Sequence, residues 1–61
     1  MAPAETYRAY AAGQRKAALE TSLANRRAMH QRSAETWETM AEAAEQVLAL
    51  TAVNAAAKAA A

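Results

Sequence analysis

The sequence predicts an all-α chain built on one long amphipathic, alanine-rich helix, and three observations carry that prediction. Alanine fills 21 of the 61 positions. Gly and Pro occur once each, as Gly13 and Pro3, so residues 14–61 hold neither of the residues that most reliably interrupt a helix. The β-branched residues Thr6, Thr21, Thr36, Thr39, Val47, Thr51 and Val53 are scattered and never alternate with period two, so no strand is expected.

The helix is expected to begin near residue 3. Pro3 suits the first turn, where its missing N–H has no intrahelical partner, and Glu5 complements the positive end of the helix dipole. Two places can break it into a helical hairpin. Gly13 costs about 1 kcal/mol relative to alanine inside a helix, and residues 25–33 form the second candidate. Thr39 with Glu42 also matches the S/T-x-x-E capping box. The expected organisation is a single helical element over 1–61, with an N-terminal segment 1–13 and a main amphipathic helix 14–58. Unbroken, about 55 helical residues would make a rod on the order of 80 Å long, which could not bury its own apolar stripe and would have to pack in an oligomer or larger assembly.

At about 100° per residue, Leu19, Leu23, Met29, Trp37, Met40, Val47 and Leu48 fall in one sector with Ala44, Thr51 and Ala55. These large residues are the expected interface. Glu35, Glu38, Glu42 and Glu45 recur at steps of three and four on the far side, as a solvated face does. From residue 37 a short heptad seam runs through Trp37, Met40, Ala44 and Val47 and weakens at Thr51, Asn54 and Lys58. Arg15, Arg26 and His30 share the sector of Leu19, Leu23 and Trp37, so cations dilute the stripe in the N-terminal half. Charged groups on a packing face either extend past it on their methylene stems or meet anions on a partner.

The apolar inventory limits function. Without alanine, twelve larger apolar residues remain: four Leu, two Val, three Met, one Trp and two Tyr. Small domains are marginal even with ordinary cores, and a layered enzyme with a buried pocket needs more chain than this. Self-association or docking on a larger partner is therefore expected. The absence of cysteine excludes disulfide frameworks, thiolate metal sites and thiol catalysis. Met1 to Glu5 carries neither a basic nor an apolar signal region. The apolar stretch 46–61 is interrupted by Asn54 and Lys58 and is mostly alanine, short of the ~20 strongly apolar residues of a membrane span. An intracellular location, or one within an assembled particle, is the expectation.

Net charge is +1, but its distribution is polar. Between residues 8 and 32, Arg8, Arg15, Lys16, Arg26, Arg27 and Arg32 stand against one acid, Glu20, and residues 35–45 hold four acids and no base. Arg15, Lys16, Arg26, Arg27, His30 and Arg32 are therefore candidates for contact with an anion or a partner, and Glu35, Glu38, Glu42 and Glu45 for a complementary acidic face on another copy. The basic half also permits a nucleic-acid reading, since phosphate neutralisation drives such binding, but neither helix-turn-helix nor basic-zipper context accompanies it. His30 is the sole histidine, and the Glu-x-x-His pattern of di-iron bundles fails because Arg27 occupies the acid position. No metal, cofactor or small-molecule substrate is expected. Ser22, Ser33 and the threonines have no arranged base, so no catalytic machinery is expected either.

Trp37 with Met40, and Tyr7 with Tyr10, are large anchors at i,i+3 on an alanine surface and are read as packing groups. The Ala/Glu/Gln-rich character, including Leu50-Thr51-Ala52-Val53-Asn54, resembles phasins, the helical coat proteins of polyester storage granules. That resemblance implies a coat helix on a granule or membrane surface, with Trp37, Met40, Val47 and Leu48 facing the granule. The main reading is a non-catalytic structural or accessory subunit acting by helix–helix packing.

Overall fold

Local chemistry places the chain reversal at Thr21–Leu23. In a computed structural model, which describes residues 2–60, helix α1 runs Pro3–Glu20 and helix α2 runs Ala24–Ala60. Thr21 is extended (φ −90°, ψ 138°) and its N–H donates to the Ala17 carbonyl, closing the last turn of α1. The Leu23 N–H then donates to Thr21 Oγ1 at 3.2 Å, and the Leu23 carbonyl accepts the first bond of α2 from the Arg27 N–H at 2.9 Å. Threonine and serine are suited to this because their hydroxyls offer the backbone a local alternative to the helix ladder. Arg27 Nη2 also donates to the Thr21 carbonyl at 3.3 Å. That places a cation at the negative end of α1, whose last turn holds no base of its own.

The chain is all-helical as expected, but two helices in a hairpin replace the single long helix, and the break lies at neither of the two places that could have produced it. Gly13 sits inside α1 with ordinary helical backbone, since one glycine in a run of strong formers costs too little to end a helix. Residues 25–33 lie within α2, and the reversal falls just before them. The division into 1–13 and 14–58 accordingly gives way to two helices meeting at residues 21–23. No break follows the Thr39–Glu42 pattern: Thr39 Oγ1 donates back to the Glu35 carbonyl at 2.9 Å, an interior helix bond. Ala61, part of the expected alanine tail, lies outside the described residues.

A three-residue link forces neighbouring helices to run antiparallel. The register is heptad. Arg8 and Arg15 bond Glu45 and Glu38, while Tyr7 and Gln14 meet Trp37 and His30. Each step of seven along α1 is thus answered by a step of seven back along α2. Among the described residues the buried ones are alanines alone: Ala4, Ala11 and Ala18 of α1, and Ala34 and Ala41 of α2. Between them along the same rows stand the half-buried Tyr7, Gln14 and Thr21, and His30, Trp37 and Ala44. Small side chains at every seventh position let the backbones approach and leave room for the larger ones.

The resulting layer is one helix thick, 58 × 18 × 10 Å. Its radius of gyration is 16.3 Å, against about 10 Å for a compact domain of this length. The elongation comes from α2, whose 37 residues are twice the 18 of α1. Most of residues 46–60 extend past the start of α1, and all of them are exposed.

Candidate helix-docking surface

Two residues along a helix is a rotation of about 200°, so positions i and i+2 lie on nearly opposite sides. That relation separates the two broad faces of the hairpin. Arg8, Arg15, Glu38 and Glu45 define one face through their ion pairs. Tyr10, Ala17, Met40 and Val47 stand two positions after each of them and define the other. One face carries the two ion pairs; the other carries none of them and holds Met40 and Val47, with Arg26 at the same heptad position near the start of α2. Met29, eleven residues before Met40, joins the latter side.

On the charged face Arg8 Nε donates to Glu45 Oε1 at 2.9 Å, and Arg15 Nη2 donates to Glu38 Oε1. The acidic row and the basic segment thus meet within one chain, with both glutamates still partly in water. Glu38 and Glu45 are claimed by arginines of the same chain, while Glu35 and Glu42 face solvent. The physical reason is that buried alanines, not the largest residues, set the inner face of α2, and so turn Glu38 and Glu45 toward the seam. An open cleft of about 410 Å³ near the reversal is lined by Arg15, Ala18, Leu19, Arg27 and Gln31. Both of its guanidinium groups already have partners, Glu38 and the Thr21 carbonyl.

Of the other expected contact residues, Lys16 lies 3.9 Å from Glu20 one turn on, and Arg26 and Arg32 are exposed. His30 is half-buried in the seam, with Nδ1 2.7 Å from Gln14 Oε1. Among the described residues no group of three or more metal-ligating side chains occurs, and no helix is long and apolar enough to cross a membrane.

The expected interface residues are divided by the fold. Trp37 alone turns into the hairpin, its ring stacked on Tyr7 at 5.8 Å and tilted against Tyr10 at 4.8 Å. Leu19 is 87% exposed beside the reversal, and Leu23 lies in it. Met29, Met40, Val47 and Leu48 remain exposed along α2, joined by Leu50 and Val53, which the sequence reading left out. Residues 46–57 carry no charge on any side. A helix apolar all round is ordinarily buried, so this half of α2 is the surface with the strongest demand for a partner. The seam alanines were also missed, although their recurrence at 4, 11, 18 and at 34, 41 was present in the sequence.

No protein family, curated protein or solved structure matched the chain.

Proposed function

We propose that this chain is a non-catalytic helical packing element, a structural or accessory subunit that works by docking the uncharged stretch of α2 onto copies of itself or onto a larger protein. The observation that carries the reading is the free half of α2, where Val47, Leu48, Leu50 and Val53 stand more than half exposed with no intervening charge. Burying one such side chain fully contributes about 1.5–3 kcal/mol, so four on one short segment are enough to drive association. The hairpin gains far less internally, because each alanine methyl contributes only about 0.8 kcal/mol. Stability supplied by a partner is the expected consequence.

A concentration series of circular dichroism spectra tests this. Helicity is expected to rise with chain concentration, since residues 46–60 need tertiary cover to stay helical. Full helicity independent of concentration would contradict it.

A second reading is favoured by the flatness of the face opposite the ion pairs. A thin layer with Tyr10, Met40 and Val47 on one side and both long-range ion pairs on the other suits a coat element lying on a granule or membrane surface. Its mark is a gain of helicity with anionic vesicles at a concentration where the chain alone stays unchanged. A nucleic-acid role draws less support, because Arg8 and Arg15 already face Glu45 and Glu38.

A further inference from the structure

Along α2, Thr36, Met40, Ala43, Val47, Leu50 and Asn54 recur at steps of four and three, a second heptad row. It lies about 120° round the helix from the row His30, Ala34, Trp37, Ala41 and Ala44 that meets α1. Every member is exposed and none is charged. We propose that this row binds the same row of a second copy, antiparallel, about a two-fold axis level with Glu45. Leu50 then faces the second copy's Met40, Val47 its Ala43, and Asn54 its Thr36.

Three features select this occupant and this direction. The first is charge. All the acids of α2 lie between Glu35 and Glu45, while residues 46–57 are uncharged. Parallel pairing would set the two acidic segments at one level, and antiparallel pairing lays Glu35, Glu38 and Glu42 beside the other copy's uncharged segment, with only Glu45 level with its counterpart. The second is length. The stretch of α2 beyond α1, about 22 Å for 15 residues at 1.5 Å each, is comparable with the 18-residue α1, so each free half covers the half of the other α2 that already holds an α1. The third is the match of polar members: this register opposes Asn54 and Thr36, which lets each meet a hydrogen-bonding side chain. The resulting interface is isologous, as two-fold pairs require.

This proposal rests on the reading of the chain as a packing element, and one experiment separates the two. The chain has no cysteine, so Met40→Cys and Leu50→Cys chains can be mixed in a glutathione redox buffer and their disulfide-linked dimers counted by mass. The same mixture in concentrated guanidinium gives the statistical reference. Antiparallel pairing predicts a several-fold enrichment of the mixed dimer over that reference. Enrichment of the two like dimers, or a statistical mixture, overturns the register. Light scattering on the unsubstituted chain runs alongside: a defined oligomer with the wrong disulfide pattern overturns the register and leaves the packing reading standing, and a monomer at every concentration overturns pairing with a second copy and leaves docking on a larger protein as the form of that reading. Both positions are exposed in the hairpin, and the pair Val47→Cys with Ala43→Cys repeats the measurement should either first variant lose its helicity.

Discussion

Trp37 is the residue on which the hairpin most depends. It is the one large side chain that takes part in two aromatic contacts, with Tyr7 and Tyr10, and it does so beside alanines that contribute little transfer energy themselves. Truncation to alanine is expected to destabilise the hairpin by about 2 kcal/mol, below the full-burial range because the ring is half-buried. Thermal unfolding followed by circular dichroism reads this, and an unchanged midpoint would refute the assignment. Ala41 carries the opposite constraint. Its side chain has no exposed surface, so Ala41→Leu should force the helices apart at a cost of about 1–3 kcal/mol. The Arg15–Glu38 pair is a smaller matter. Both side chains keep a third or more of their surface in water, and exposed pairs contribute only about 0–1 kcal/mol. Glu38→Gln should therefore leave the unfolding midpoint within a few degrees of the parent.

At the scale of the helix, Gly13 gives a prediction of the other sign. It lies inside α1 with helical backbone, and a Cβ placed there would meet nothing within 4 Å. Gly13→Ala should raise stability by about 1 kcal/mol through helix propensity and a less flexible unfolded chain; a lower unfolding midpoint would show that the glycine is needed for close approach. The same residue marks the limit of what the sequence discloses. Helical character was legible from alanine content and the missing breakers, and Pro3 marked the start of α1. The reversal was not legible. Three ordinary residues, Thr21, Ser22 and Leu23, form it through a side-chain bond and a capping arginine that arrives from the next helix, and no local pattern announces a cap completed by tertiary contact. The inner face was misjudged for a related reason. Size was taken as the guide to burial, and Leu19, Met40 and Val47 drew attention, whereas close packing on alanine rotates the buried row toward Ala34 and Ala41 and leaves the large residues outside.

For the whole molecule, the consequence is a flat hairpin that buries alanines and, apart from Trp37 and Tyr7 in its seam, displays its larger apolar side chains. A chain folded only for its own stability would do the reverse, since apolar area removed from water is the main driving force. Here the exposed Val47, Leu50 and Val53 stand on the uncharged stretch of α2 that α1 is too short to cover, and Met40 continues their surface beside α1. We infer that another protein chain completes this surface. Sedimentation equilibrium of the parent chain beside a Leu50→Glu variant tests it most directly, because the substitution places a charge in the middle of the exposed row without touching the hairpin seam. The expected result is a parent mass above the 6.5 kDa of one chain, falling to the monomer in the variant with a loss of helicity in α2. A parent that sediments as a fully helical 6.5 kDa monomer at every concentration, indistinguishable from the variant, would contradict self-association as the role of this surface.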